Sequence, residues 1–479
     1  MIMKNKTNYT WVAILAISLA VTACKNLNLV TKTENKAVPA SFTGSQDTTN
    51  STTVKWKDYF KDQNLNVLID SALANNQELN ITLQEIQIAN NEVRARKGEY
   101  LPFLGAGARA GVDKVGRYTS QGANDANTDI APGRKTPDAL PDYMIGVYAS
   151  WEVDIWHKLR NAKKSAFNRY LSSIEGKNFL VTNLIAEIAN TYYELLALDN
   201  QLEIVKQNIQ IQTNALEIVK LEKEATRVTE LAVRKFEAEV YHTRSLQFDI
   251  QQQIVVAENR INFLVGRFPQ TVQRSTQAFS QLVPDTVYAG IPSQLLQNRT
   301  DIRQAEQLLA STKLDVKVAR AQFYPSFNIN GGLGFRAFNP AFLVKAPESI
   351  LFSLAGDLMA PLINRNALKA TYFNANAKQI QAVYNYERTI LNAYVEVVNQ
   401  QTKISNLEKS YALKSLQVEA LNQSIDISTN LFKSARADYM EVLLTQRDAL
   451  DSKFELIETK RQLMNATVNI YRALGGGWN

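Results

Sequence analysis

Cys24 is the only cysteine in a chain of 479 residues. It directly follows Val21, Thr22 and Ala23, which end an uncharged, mostly apolar run that begins at Trp11. A lone thiol cannot form a disulfide within its own chain. A thiol can be acylated, and each methylene group of an acyl chain that enters a membrane contributes about 0.8 kcal/mol. The chemistry that this residue offers is therefore the covalent attachment of lipid.

The residues before Cys24 predict an export signal. Lys4 and Lys6 form a positive n-region, residues 11–21 form an apolar h-region, and small residues precede the cysteine. The apolar run is about half of the ~20 residues that a membrane-spanning helix needs. The sequence Val-Thr-Ala-Cys resembles the lipobox of bacterial lipoproteins, in which cleavage before the cysteine precedes its acylation. Lys25, rather than an acid, follows Cys24, which fits delivery to an outer membrane.

We therefore predict a lipoprotein signal peptide at 1–23, an acylated Cys24 that carries chains such as palmitate, and a lipidated N-terminal tether at 24–53. The tether is rich in Thr, Asn, Ser and Lys, which is typical of extended segments. The alternative is a secretory signal in which the cysteine is incidental.

Apart from the acylation predicted at Cys24, no residue pattern in the sequence predicts chemistry. The two histidines, His157 and His242, lie far apart in sequence, so a His/Cys metal site is not expected. We find no Ser/His/Asp arrangement and no glycine loop of the phosphate-binding type. The formal net charge of +7 is modest, and no dense Lys/Arg cluster indicates nucleic acid. We expect neither an enzyme nor a bound cofactor.

Four segments alternate between apolar residues and polar residues or glycine, which is the period of a β-strand. The first two lie at about 103–117 and 141–155, and the other two lie at about 326–338 and 349–362. A polar loop at 118–140 separates the first two. A strand of 9–11 residues crosses a bilayer when it is tilted. All four segments are long enough to do so.

Long helices follow each strand pair. The first pair has apolar residues at 4-3 heptad spacing, and no Gly or Pro occurs from 177 to 265. A polar stretch at 222–230 is the predicted hairpin tip. The second pair, at about 366–430 and 438–473, is less regular because Gln401 interrupts its heptads. The heptad positions in the first pair are Leu184, Ile188, Thr191, Leu195, Leu198, Leu202, Val205 and Ile209.

The chain therefore consists of two tandem structural repeats, each with a helix, two strands and a long helix pair. The first repeat spans 54–290 and the second spans 291–479. Open sheet edges do not occur in lipid, and the smallest single-chain barrels have eight strands. Four strands cannot close a barrel, so several chains must combine to complete one.

Four motifs follow one another along the chain: Ser-Trp-Glu-Val-Asp-Ile-Trp at 150–156, Ile-Pro-Ser-Gln-Leu-Leu-Gln-Asn-Arg-Thr-Asp-Ile-Arg at 291–303, Ala-Gln-Phe-Tyr-Pro-Ser at 321–326 and Ala-Leu-Gly-Gly-Gly-Trp at 473–478. Through these motifs and their order, the chain resembles the outer-membrane efflux protein family, the TolC-like outer-membrane factors, in its lipoprotein branch. The resemblance covers nearly all of residues 54–479. It implies an α+β membrane protein and a homotrimer, in which four strands from each chain form a twelve-stranded β-barrel continuous with a long periplasmic α-helical barrel.

The resemblance places a periplasmic gate at the helix-pair tips, 226–232 and 435–441, where the family carries rings of acidic side chains. Glu441 stands where the family has its first acid of the second repeat, but Leu444 stands where a second would follow, and Ala232 is the first-repeat counterpart. Thr226 and Ala435 replace the glycine common in the tips. A carboxylate ring favours cations electrostatically. The alternative is that these polar side chains only solvate a hairpin tip. The gate candidates are Glu441, Glu230, Arg227, Arg436 and Asp438.

The predicted function is a passive exit duct for small molecules in the cell outer membrane, lipid-anchored, spanning the membrane and extending into the periplasm. The resemblance implies three kinds of contact: a periplasmic adaptor (membrane fusion) protein, an inner-membrane RND-type pump and outer-membrane lipid. One alternative is the exit duct of a type I protein secretion system. A coiled-coil lipoprotein would explain the heptads but not four alternating strands. A periplasmic enzyme or solute-binding lipoprotein would need a convergent polar site.

Overall fold

The computed structural model describes residues 29–42, 49–51, 54–274, 279, 282, 288–363, 365–434 and 436–478. The predicted signal peptide, Cys24 and Ala435 lie outside the described residues, and so does part of the predicted tether.

Both halves of the chain have the same order of elements: helices, two long strands and two long helices. The tandem repeats predicted from the sequence are thereby confirmed. The first half contains α1 Trp56–Tyr59, α2 Gln63–Asn75, α3 Gln77–Tyr100, β1 Phe103–Asp113, α4 Ser120–Asp125, β2 Asp129–Ala131, β3 Arg134–Lys135, β4 Leu140–Val153, α5 Lys158–Glu224 and α6 Glu230–Val265. The second half contains α7 Leu295–Asn298, α8 Thr300–Ala321, β5 Ser326–Ala337, β6 Ile350–Met359, α9 Asn366–Lys433 and α10 Tyr439–Leu474.

The long helices are far longer than those of ordinary globular domains. Helix α5 has 67 residues and α9 has 68, which at 1.5 Å per residue gives each a length of about 100 Å. The returning helices, α6 and α10, have 36 residues each and end at left-handed glycines, Gly266 with φ 78° and Gly475 with φ 94°. No helix in the described part of the chain combines the length and the apolar composition that crossing a bilayer would require.

The four long strands form one antiparallel sheet in the order β1-β4-β5-β6. Side chains alternate across it as the sequence predicts. One face is apolar and exposed, with Leu104, Val147, Leu333, Phe352 and Leu354 on it. The opposite face carries polar residues, glycines and a few large side chains. This two-sided sheet is the pattern of a wall between lipid and water.

Two predicted strand bounds are wrong because the partner strand sets the end of pairing. The first strand stops at Asp113 rather than 117, since Asp113 pairs with Leu140, the first residue of β4. The last strand is Ile350–Met359 rather than 349–362, since Met359 pairs with Ser326, the first residue of β5. The predicted loop at 118–140 also contains α4 and a short β2–β3 ribbon.

The described chain divides into two compact units. One comprises the residues up to Thr33, Gln87–Tyr170 and Gln307–Val383, and it contains the sheet. The other comprises Glu34–Ile86, Leu171–Glu306 and Tyr384–Asn479, and it contains most of each helix pair. In this second unit, six of the eight heptad positions of α5 are buried, and Leu202 and Ile209 pack against the same core.

Residues 29–42 of the predicted tether have neither helix nor strand, and this stretch packs against the helices within each unit. In the first unit, the amide of Asn376 donates to the carbonyl of Val30 at 3.1 Å. In the second unit, Lys36 and Glu306 form an ion pair at 2.6 Å, and the ring of Phe42 stacks on Tyr394. The composition of the tether did not indicate these contacts, because they depend on side chains of α8 and α9.

Candidate functional site

The first tip closes α5 with a Schellman motif. The amide of Thr226 donates to the carbonyl of Lys223 at 2.8 Å, and the amide of Arg227 donates to that of Glu222 at 2.9 Å. The motif needs a left-handed residue, and Thr226 takes this role with φ 59°. A β-branched residue is strained in this conformation. The position that the family resemblance assigns to glycine therefore has a glycine-like backbone in this chain.

Glu230, the first residue of α6, is already paired. Its carboxylate contacts Lys223, and it forms a second ion pair with Arg234 at 2.8 Å. The hydrogen bond from Lys223 and then the two nearby positive charges lower the pKa of Glu230. This acid therefore contributes little net charge to the surface of the tip.

The second tip repeats the longer bond of the motif, because the amide of Arg436 donates to the carbonyl of Leu431 at 2.9 Å. Asp438 is the N-cap of α10, and its side chain makes no capping hydrogen bond. Glu441 is exposed in the first turn of α10. Among the described residues, no ion pair involves Glu441, Arg436 or Asp438, and the same holds for Arg227 in the first tip.

Glu441 and Ala232 occupy equivalent places in their helices. Each is the third helical residue, and the amide of each donates to the N-cap carbonyl at 3.1 Å. The sequence correspondence between them is therefore matched by the backbone. Their surroundings differ: Ala232 is fully buried in an apolar cluster with Val233, Phe236 and Leu443, whereas Glu441 faces solvent. At this one position, the second helix pair thus presents an exposed acid and the first presents a buried methyl group.

The polar face of the sheet carries two arrangements that the sequence did not indicate. Arg336 forms a bidentate ion pair with Asp142, at 2.7 and 3.0 Å. At the other end of the sheet, the hydroxyl of Ser150 donates to Asn330 Oδ1 at 2.9 Å. The Asn330 Nδ2 group in turn donates to Asp357 Oδ2 at 2.9 Å. These residues lie on three strands, so only the register could reveal the contacts.

Neither a metal centre nor a nucleophile arrangement emerges in the described residues. No group of three or more His, Cys, Asp or Glu side chains there has the geometry to hold a metal ion. A cavity of about 830 Å³ lies between the ends of the strands and the 114–138 segment. Asp113, Arg117, Asp142 and Arg336 are among its lining residues.

Comparison with known proteins gives consistent matches along the chain. A family model described as outer membrane efflux protein matches residues 68–267 and 291–476. The pyoverdine export outer membrane protein OpmQ of Pseudomonas aeruginosa is 27% identical over 424 residues, which cover 88% of this chain and 87% of OpmQ. The cation efflux system protein CusC of Escherichia coli O6:H1 is 24% identical over 469 residues, with 96% and 97% covered.

A solved structure shows the same fold. The open state of the MtrE outer membrane channel of Neisseria gonorrhoeae has a TM-score of 0.82 and 21% identity, and the match covers 94% of this chain and 98% of MtrE. The family model matches most of the chain, in one segment for each repeat. This chain therefore belongs to the outer membrane efflux protein family.

Proposed function

We propose that three copies of this chain form the outer-membrane exit duct of a tripartite efflux system. The observation that carries the proposal is the sheet, which has one apolar face, one polar face and two edge strands, β1 and β6, that pair on one side only. Such edges are not tolerated in lipid, and four strands are too few to close. Three copies supply twelve strands and pair every edge.

The duct itself performs no chemistry. It offers a wet path across the outer membrane, and an inner-membrane RND-type pump supplies the energy through a periplasmic adaptor. The names of two relatives give different cargoes, pyoverdine and cations, so we assign the choice of small molecule to the pump. A type I secretion system would use the same architecture with a different pump. A coiled-coil lipoprotein leaves the four-stranded sheet without a role.

The assembly is tested by extracting the full-length protein from outer membranes in a mild detergent. We expect heat-resistant trimers with mixed helix and strand circular dichroism and with channel activity in planar bilayers. A stable, inserted monomer that conducts by itself would overturn the proposal.

We also propose that Cys24 carries the lipid anchor. Support comes from the sequence before it and from the docked tether, whose described part begins at residue 29. Cells fed with labelled palmitate should label the wild-type protein but not the Cys24→Ser variant. Equal labelling of the two proteins would remove Cys24 as the acylation site.

At the periplasmic end, we propose that Glu441 forms the acidic ring of the gate, with Arg227, Glu230, Arg436 and Asp438 completing the tip. Exposure and lack of a partner support the role of Glu441. In bilayers with a salt gradient, Glu441→Gln should reduce the cation preference. Glu230→Gln is the matched control and should have less effect, because Lys223 and Arg234 already offset that charge. An unchanged reversal potential in Glu441→Gln would reject the ring.

A further inference from the structure

We propose that Asp357 forms a second carboxylate ring, on the polar face of the strand wall at its helix end, and that this ring adds cation preference independently of the tip. The inference rests on the proposed trimer, because a ring exists only when three copies close the barrel.

The register places Asp357 at the helix end of the sheet. It pairs with Asn328, which pairs with Glu152 on the next strand. Residue 357 lies two positions before the end of β6, and α9 begins at Asn366. All four strand–helix connections are at this end, since β1 and β5 begin here and β4 and β6 finish here. A solute that leaves the helical part of the duct would meet this level first.

Hydrogen bonds across the strands fix the direction of the carboxylate. Ser150, Asn330 and Asp357 form a relay with two bonds of 2.9 Å each. The relay lies on the polar face, opposite the apolar face that carries Leu354 and Leu358. An acceptor-only carboxylate is a suitable end for such a chain of donors. The side chain of Asp357 remains exposed, so its charge is presented to the water-filled side.

On the polar face of the strands, Glu152 is the other charged residue near this level, and it is already balanced. Glu152 forms an ion pair with Lys158 at 2.5 Å. No ion pair involves Asp357 in the described part of the chain. The next cation without an ion pair on the polar face of the described strands is Arg109. It lies at the level of Arg336 on β5, which is eight residues along that strand from Asn328, the partner of Asp357.

Asp357 and Arg109 are too far apart along the strands to influence each other electrostatically. Eight residues of strand span roughly 27 Å, whereas the Debye length is about 8 Å at physiological ionic strength. Asp142 and Asp113 lie beyond Arg109, still farther from the helix end, and Asp142 is paired with Arg336 at the level of Arg109. Asp357 therefore sets the net charge of its own level.

The expected size follows from the barrel dimensions. Twelve strands about 4.8 Å apart and tilted by about 40° give a backbone radius of roughly 12 Å. Three carboxylates on a wall of that radius, screened by salt, change the ratio of cation to anion at the axis by about twofold. The effect is small but measurable as a reversal potential.

The first experiment measures reversal potentials of trimers in planar bilayers under a potassium chloride gradient. Asp357→Asn should lower the cation-to-anion permeability ratio by about twofold, and Asp357→Glu should retain it. The loss should also appear in a Glu441→Gln background, since the two levels act separately. Ser353→Ala, on the same face of β6 and uncharged, is the matched control and should leave the ratio unchanged.

A second experiment restores the charge chemically. Cys24 is the only natural cysteine, so an Asp357→Cys variant can be labelled selectively once wild-type trimers are shown not to respond. An anionic methanethiosulfonate reagent should restore the cation preference, and a cationic one should reduce it further. Leu358→Cys, the neighbour on the apolar face, should not respond to either reagent.

The outcomes separate the two proposals. Failure of the wild-type protein to trimerise or conduct would reject the duct and the ring with it. Conducting trimers with an unchanged ratio in Asp357→Asn, or without cation preference in the wild type, would reject only the ring. Labelling of Leu358→Cys with the same effect would also reject the ring, because the face assignment would be wrong.

Discussion

The two repeats hold the base of their returning helices with the same backbone geometry but with different side chains. In the first repeat, Asn76 Nδ2 donates to the carbonyl of Leu264, near the end of α6, at 2.8 Å. In the second, Arg299 Nη1 donates to the carbonyl of Ala473, near the end of α10, at 2.7 Å. Each donor directly precedes a helix, α3 or α8. One repeat uses a neutral amide where the other uses a charge.

The charge brings further partners with it. Arg299 is only 6% exposed, and it also binds Asp301 and Glu396, while Arg472 binds the other oxygen of Glu396. Asn76 needs no such network because its amide also caps α3, where its oxygen accepts from the amide of Leu79 at 2.9 Å. The comparison teaches that the fold requires a donor at this place, whereas its charge is a property of one repeat.

The seams between the paired helices also differ, and the seam of the second repeat is again the more polar one. Helix α5 has buried apolar residues along the 193–219 segment, whereas no residue of α9 from 401 to 427 is buried. Across the second pair, Gln417 bonds Ser452 at 3.1 Å, and the Lys460 amine lies over the ring of Tyr411. These two polar contacts lie at the seam of the second pair, where the 401–427 segment of α9 has no buried residue.

The largest effect is expected from removing the charged donor. Arg299→Ala removes the charged partner of Asp301 and the donor to the carbonyl of Ala473, and it leaves Glu396 with Arg472 alone. Breaking such a buried pair costs about 3–5 kcal/mol. Asn76→Ala removes two neutral hydrogen bonds, the one to the carbonyl of Leu264 and the cap of α3, and should cost about 1–3 kcal/mol. In detergent, the thermal midpoint followed by helical circular dichroism should fall further for Arg299→Ala than for Asn76→Ala. As a control, Lys57→Ala breaks an exposed ion pair and should shift the midpoint little. Equal losses from Arg299→Ala and Asn76→Ala would contradict the distinction.

The next effect concerns the tips. Ala232→Glu would place a carboxylate in the apolar cluster around Phe236, and an unpaired buried charge costs several kcal/mol. We expect the first tip to open locally, with faster amide exchange over the start of α6, rather than to gain a second acid at the gate. Leu231→Glu is the matched control, since residue 231 is exposed. A stable tip in Ala232→Glu with increased cation preference would show that position 232 can face the duct.

A smaller gain in stability is expected from replacing Lys460, whose amine lies at the seam of the second helix pair. Lys460 is 6% exposed, no ion pair involves it in the described structure, and burial lowers the pKa of its amine. An unpaired charge is costly to bury, and Lys460→Leu removes that cost, so it should stabilise the second pair by about 1 kcal/mol. Slower amide exchange in α10 would report the gain. Lys220→Leu, at a more exposed lysine of the first pair, should have almost no effect. A lower thermal midpoint for Lys460→Leu would mean that the amine contributes to stability.

Sequence period was sufficient for the elements that repeat regularly. The strand alternation around Val147 and Leu333 and the heptads from Leu184 onward have fixed spacing, so their faces could be assigned before the structure. The Ser150–Asn330–Asp357 relay could not be, because it joins strands whose register no local signal determines. The docking of Val30 on Asn376 was missed for the same reason, since it joins residues 346 positions apart. The burial of Ala232 against the exposure of Glu441 likewise depends on neighbouring helices.

The smallest change in stability is expected at Thr226, the left-handed residue that ends α5, and it is compared with Gly266, which ends α6. Thr226 is strained by about 1–2 kcal/mol in this conformation, while glycine loses about 0.5–1 kcal/mol through its freedom in the unfolded chain. Thr226→Gly should therefore stabilise the tip by less than about 1 kcal/mol. Gly266→Ala should instead be destabilising, because its Cβ would lie 2.5 Å from the carbonyl oxygen of Asn75.

Amide exchange of the residues after each helix end would separate the two cases, with slower exchange near Thr226→Gly and faster exchange near Gly266→Ala. Gly98→Ala, in the last turn of α3 with no neighbour near its Cβ, controls for the general effect of adding a methyl group to glycine. If Thr226→Gly instead loosened the tip, the hydroxyl or methyl group of Thr226 would have to stabilise it by more than the backbone strain costs. The tip of the first repeat would then be specialised for threonine rather than merely tolerant of it.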